Sequence, residues 1–157
     1  MSEYDTNAKM NPPLRTEDDR QALIEGLLDG TIDAVATDHA PHSQEEKEDD
    51  FNSAPFGVIG LETALGLVLT ELVHTGKLNW NKLIQRMAVK PREILNLPPV
   101  KIEIGGEAEI TIIEPEYEWV VEWEKFKSLS ENTPFQGRKL KGRAFGIYNR
   151  GQLVLND

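Results

Sequence analysis

The sequence contains no cysteine. That excludes a disulfide framework, a thiolate metal site and a cysteine nucleophile, and it fits a reducing compartment. Basic residues are also scarce, with 17 lysines and arginines against 27 acids and a formal net charge of −10. No basic stripe or lysine-rich tract is present, so nucleic acid and anionic membrane are not the expected partners. No apolar run approaches the roughly 18 residues of a membrane span, and the first residues lack a signal-peptide pattern. A soluble, cytoplasmic protein is the expectation. Histidine occurs three times, never as a His-x-His pair, and 157 residues fall short of the roughly 250 that a complete (β/α)8 barrel takes.

The chemistry that is present gathers in Ala34-Val35-Ala36-Thr37-Asp38-His39-Ala40-Pro41-His42. Residues 31–37 are small, apolar or β-branched apart from Asp33, a composition that predicts a strand buried on both sides, as in a parallel sheet. Such a strand would deliver Asp38 and two imidazoles to its carboxyl end, where α/β folds keep their active sites. Local chemistry equally allows Asp38 to cap the following turn, with both histidines in solvent.

Around this stretch the chain falls into recognisable pieces. Residues 1–7 are polar and read as an irregular lead-in, and Pro12 and Pro13 impose an extended backbone that either directs Asn11 and Arg15 or serves as a stiff linker. Thr16 followed by Glu17, Asp18 and Asp19 predicts a helix start. Ala22, Leu23, Ile24, Leu27 and Leu28 give that helix one apolar face, and Gly30 ends it. With the strand from Thr31 this makes an αβ unit. The acidic run 43–50 reads as a solvated loop. In residues 52–60, glycine and proline frame Phe56 and leave backbone amides free, which suits a binding loop as well as a plain turn.

Leu61, Ala64, Leu65, Val68, Leu69, Leu72 and Val73 predict an amphipathic helix stopped by Gly76. A second helix should begin near Asn79, carry Trp80, Leu83, Ile84 and Met87 on one face, and be interrupted by Pro91. From Pro98 onward short β-rich runs alternate with glycine, proline and acids. Trp119, Trp123 and Phe126 read as packing residues, and the tail reads as a hairpin turning at Asn149-Arg150-Gly151. The change of texture near residue 97 is the candidate boundary, giving segments 1–97 and 98–157.

Four stretches taken together carry a family resemblance. They are residues 7–15 with Met10-Asn11-Pro12-Pro13-Leu14-Arg15, residues 33–42 with Thr37-Asp38-His39-Ala40-Pro41-His42, residues 54–62 with Pro55-Phe56-Gly57, and Asn132-Thr133-Pro134-Phe135-Gln136-Gly137. In this order they resemble the last part of class I dihydroorotase, of the amidohydrolase superfamily. The resemblance implies an α/β fold, namely the C-terminal fragment of a metal-dependent (β/α)8 barrel (1–97) followed by a small β-sandwich part (98–157). It implies reversible conversion between L-dihydroorotate and N-carbamoyl-L-aspartate in pyrimidine biosynthesis, with zinc as cofactor.

Asp38 matches the acid that both binds the metal and moves the proton. Asn11 and His42 match substrate-holding side chains, and Phe56 and Gly57 match a backbone contact to the pyrimidine ring. Arg15 receives no catalytic role, and His39 is expected to be structural support. The family's other metal-binding histidines sit mostly on earlier strands, so the chain alone is expected neither to bind zinc well nor to turn over substrate. Association with itself or with the missing barrel half is expected, and aspartate transcarbamoylase is a candidate partner enzyme. Alternatives are a hydantoinase or allantoinase activity, or a non-catalytic dihydroorotase-like scaffold chain.

Overall fold

Thr16 starts the first helix as its position predicts. In the computed structural model, which describes residues 4–156, the Asp19 amide donates to the Thr16 hydroxyl at 3.3 Å. The Thr16 amide in turn donates to the Asp19 carboxylate at 3.2 Å, so the Thr16 and Asp19 amides, two of the orphan N–H groups at this end, are satisfied. Helix α1 then runs Glu17–Asp29. At its other end, Lys82 donates to the Leu28 carbonyl at 2.6 Å and Arg86 to the Leu27 carbonyl at 2.9 Å, placing two cations on the negative end of the helix dipole. Of the predicted apolar face only Leu27 is buried, and Leu23 is 59% exposed.

The remaining helices are α2 (Gln44–Lys47), α3 (Ala64–Val68), α4 (Trp80–Ile84) and α5 (Lys90–Ile94), and the strands are β1 (Ile110–Val120), β2 (Lys139–Asn149) and β3 (Gln152–Leu155). Contacts cluster into two units. The first draws on the chain up to Glu25, on Ala36–Ala64 and on Val120–Lys139. The second draws on Gly26–Val35, on Leu65–Trp119 and on the chain from Leu140 onward.

In the second unit the predicted helix after Leu61 forms as α3 and a π turn, Leu69–Val73, that buries Leu69 and Leu72. Pro91 does not interrupt the next helix as expected. A π turn, Gln85–Val89, precedes it, and Pro91 occupies the first turn of α5, where its missing N–H breaks no bond. The sheet order is β1-β2-β3, with β2 and β3 antiparallel from Gly146↔Leu155 to Asn149↔Gln152. Arg150 and Gly151, at φ 48° and 78°, make the tight hairpin turn at the predicted place. Pro115 lies inside β1, an edge strand, where a residue without an N–H is tolerated. Residues 98–109, expected to hold a short β run, carry no strand, and Ile102 is 91% exposed.

The strand predicted over residues 31–37 also needs correction. A strand requires a hydrogen-bonded neighbour, and among the described residues this segment forms no ladder. Its recorded backbone bonds run from Ile32 to the Gly26 carbonyl and from Val35 to the Arg86 carbonyl. Thr31, Asp33 and Ala36 are exposed rather than buried on both sides.

The first unit has an unusual interior. Beside Ala8, Ala54, Val58, Ile59 and Val121, it buries Lys9, Lys47, Thr63, Asn132 and Thr133. A buried polar group is costly unless hydrogen-bonded. Among the described residues the Thr63 hydroxyl has no partner, whereas Lys9, Lys47, Asn132 and Thr133 are bonded, and the bonds of Lys9, Lys47 and Asn132 organise the site. Among the described residues no helix is long and apolar enough to cross a membrane.

Candidate functional site

Within the first unit, pairing begins just past Asp38. His39 forms a parallel bridge with Val58, and the Ala40 amide donates to the Val58 carbonyl at 2.9 Å. Asp38 itself adopts φ 44°, a left-handed conformation that aspartate tolerates better than most residues, and its side chain is exposed. His39 Nδ1 accepts the Gly60 amide at 3.1 Å and the Leu61 amide at 3.4 Å. An accepting Nδ1 carries no proton, so the ring proton sits on Nε2. This imidazole ties the end of the 36–39 segment to the backbone at Gly60 and Leu61.

His42 is placed differently. Its Nε2 donates to the Phe56 carbonyl at 3.0 Å, and its Nδ1 lies 3.3 Å from the Glu46 carboxylate. Gly57 follows at φ 136°, and a Cβ there would stand 2.6 Å from the Ala40 Cβ and 3.1 Å from His42 Nε2. Only glycine lets the two segments approach this closely. Asn132 locks them from a third stretch. Its Nδ2 donates to the Ala40 carbonyl at 2.8 Å and the Gly57 carbonyl at 3.2 Å, and its Oδ1 accepts the His42 amide at 3.2 Å. Its own carbonyl accepts the Ile59 amide at 3.0 Å.

The acids of the run 43–50 are exposed, as the sequence predicts, but the segment is not all loop. Ser43 and Glu46 form a capping box around α2, the side chain of each accepting the other's backbone N–H, and Lys47 turns inward. The Ser-x-x-Glu spacing was the signal for it. The Ser43 amide, followed by the His42 side chain, holds the Glu46 carboxyl below its ordinary value of 4.5. A depressed carboxylate contributes stability above its unfolded value, and that contribution is lost as pH falls through the folded value. On acidification below pH 4.5 the Glu46 carboxyl is therefore expected to titrate late, with the Ser43 and Glu46 amides losing exchange protection as it does. A carboxyl carbon resonance of Glu46 titrating at 4.5 or above would contradict this.

Thus His42, Phe56 and Gly57 come together, while Asn11 and Asp38 are exposed and make no side-chain hydrogen bond among the described residues. Arg15 bonds Asp19 at 3.2 Å. The sequence alone did not reveal the organising role of Asn132, Lys9 or Lys47, each of which stands in it only as part of a longer run. Asn132 also lines a cavity of about 210 Å³ with Asn7, His42, Lys47 and Trp123.

The residues present do not fit a zinc ion by themselves. Among the described residues no three of His, Asp and Glu gather. His39 Nδ1 is taken by backbone amides, and both nitrogens of His42 face oxygens. The 157-residue chain is accordingly expected to hold zinc no more tightly than a single exposed carboxylate does. Stoichiometric binding in equilibrium dialysis, surviving a weak chelator, would refute that.

No protein-family model matches the chain. It is 52% identical over 149 residues to the dihydroorotase of Chlorobaculum tepidum, a match covering 95% of this chain and 34% of that protein. The chain thus spans about a third of the length of the curated relatives it matches. Its structure is similar to an L-hydantoinase (dihydropyrimidinase) from Arthrobacter aurescens, with a TM-score of 0.89 and 31% identity over 98% of this chain and 35% of that one. It is also similar to an inactive dihydroorotase-like domain of a CAD-like multifunctional protein from Chaetomium thermophilum, with a TM-score of 0.62 and 26% identity over 91% of this chain and 39% of that one. These matches place the chain in the amidohydrolase superfamily as a homologue of the C-terminal part of the dihydroorotases.

Proposed function

We propose that the protein to which this chain corresponds is a dihydroorotase, interconverting L-dihydroorotate and N-carbamoyl-L-aspartate. The observation that carries the reading is identity: 52% to a curated dihydroorotase, against 31% to the hydantoinase structure. In hydrolysis, water oxygen bonds to the ring carbonyl carbon, the carbon–nitrogen bond breaks, and the leaving nitrogen gains a proton. Asp38 is the proton carrier in this scheme, and its exposure and left-handed backbone present the carboxylate for that work.

Asn11 and His42 hold the substrate, and the backbone at Phe56 and Gly57 contacts the ring. His42 enters already bonded to the Phe56 carbonyl, so the ring contact and the side-chain contact are coupled. The complete protein is metal-dependent, with zinc the expected ion and Asp38 one of its ligands. In this reading residues 1–97 belong to the barrel and 98–157 to the β-sandwich part. Exposed apolar residues such as Leu23, Leu129 and Leu153 would be covered by association with the remaining barrel or with a second copy. The substrate is a small molecule, and the protein works in the cytoplasm.

A chimera tests the reading. This chain replaces the matching third of the Chlorobaculum tepidum dihydroorotase, and cyclisation of N-carbamoyl-L-aspartate is measured beside hydrolysis of hydantoins. Dihydroorotate formation is the expected result; hydantoin turnover alone would overturn it. The similarity to an inactive dihydroorotase-like domain keeps a non-catalytic scaffold as the second reading, and it gains if the chimera folds, binds metal and turns over neither substrate.

A further inference from the structure

The loop 52–57 is held in an uncommon way. Five of its carbonyls are taken by side chains from other segments. Lys9 Nζ donates to the Asn52 carbonyl at 3.0 Å and the Ala54 carbonyl at 2.5 Å, and Lys47 Nζ donates to the Pro55 carbonyl at 2.8 Å. His42 holds the Phe56 carbonyl and Asn132 the Gly57 carbonyl. Lys9 also lies 4.5 Å from the centre of the Phe56 ring, and its own carbonyl accepts the Gly57 amide at 2.9 Å. Lys47 extends the clamp to the Thr6 carbonyl at 2.9 Å.

Both lysine residues are more than nine-tenths buried, and among the described residues neither forms an ion pair. Burying two cations against neutral carbonyls is an expensive way to fill space, and an apolar side chain would do that at lower cost. What the ammoniums supply instead is direction, because each has several donors and fixes two carbonyls at once. With its carbonyls turned inward, the loop leaves the Phe56 ring 55% exposed.

We infer that Lys9 and Lys47 are positioning residues that hold the 52–57 loop by its carbonyls, so that Phe56 and Gly57 are presented in one conformation to a ring-shaped ligand. The ligand half of this inference rests on the reading of Phe56 and Gly57 given above; the clamp itself does not. Supporting it, burial and then the neighbouring Lys9 charge lower the Lys47 ammonium from its ordinary value of 10.5, against the opposing pull of Asp5 and Glu46. A clamp of this kind opens when Lys47 loses its proton, and an arginine in its place would not open.

The test uses this chain with Lys47→Met, Lys47→Arg, Lys9→Met and Lys9→Arg. In each methionine variant the amides of Phe56, Gly57 and Val58 are expected to exchange about tenfold faster or more, with β2 amides unchanged, and each arginine is expected to restore most of the protection. The carbonyl carbon resonance of Pro55 should shift in the wild type with a midpoint below 10.5 and stay fixed in Lys47→Arg. Unchanged loop exchange in both methionine variants overturns the clamp. Where those variants fail to fold, a Pro55 resonance indifferent to Lys47 titration overturns it.

In the chimera, Lys47→Met should raise KM for dihydroorotate about tenfold while kcat stays within about threefold, with Lys47→Arg near the wild type. A normal KM with a loosened loop would refute the ligand half. A chimera without dihydroorotate turnover would count against the proposed function and leave the exchange result to decide the clamp.

Discussion

Asp38→Asn is expected to lower kcat for carbamoyl-aspartate cyclisation in the chimera by about 10²- to 10⁴-fold, the range lost when a positioned proton carrier is removed. Asparagine is the right replacement because it tolerates the left-handed backbone, φ 44°, that Asp38 adopts. Loss of activity would then report lost proton transfer or metal ligation by the carboxylate rather than a strained turn. The Asp38 side chain is exposed and makes no hydrogen bond among the described residues, so thermal unfolding should move little. Rates within threefold of the parent chimera would remove Asp38 from the chemistry.

Asn132→Ala should be the most destabilising substitution in the first unit. The side chain is 2% exposed and satisfies the Ala40 carbonyl, the Gly57 carbonyl and the His42 amide together. Alanine removes the partner of all three part-buried groups at once. At about 1–3 kcal/mol for each unsatisfied buried group, the loss is about 3 kcal/mol or more. Urea unfolding followed by circular dichroism measures it, and a change below about 1 kcal/mol would mean that water or a shifted backbone replaces the amide. The effect should be local at first, with the amides of Ala40, His42 and residues 57–59 losing exchange protection before those of β2 and β3.

How much of this was legible depended on how local each signal was. Thr16 and Gly30 mark the ends of α1 through their own backbone chemistry, and the Asn149-Arg150-Gly151 turn needs only two residues at positive φ, so these features are readable over a few positions. The strand over 31–37 was misread because apolar composition reports a preference for burial, whereas a strand also needs a partner, and pairing starts only at His39↔Val58. Pro91 was misread because a widened π turn before it leaves no bond for proline to break. In the site, the pairing of His42 with Phe56 could not be seen from spacing, since it depends on Gly57 admitting the Ala40 segment at close range. Asn132 and Lys47 were opaque for one reason: a polar residue in a polar run carries no sign that it faces inward. Only the Ser-x-x-Glu cap before Lys47 hinted that its segment was ordered.

The way the first unit is assembled has a consequence for how the chain acquires it. The last of its three stretches lies far from the other two in sequence, and the Asn132 bond to the His42 amide closes a span of 90 residues. Contacts of that span are slow to form, because the entropy of closing the intervening chain is lost before the bond can compensate. On a ribosome adding roughly 5–20 residues per second, the 40–42 and 57–59 segments would wait on the order of 5–20 seconds for the asparagine that joins them. Through that interval the Ala40 and Gly57 carbonyls and the His42 amide lack their asparagine partner, whereas the carbonyls that the two buried lysines bond lie between Thr6 and Pro55 and are already made.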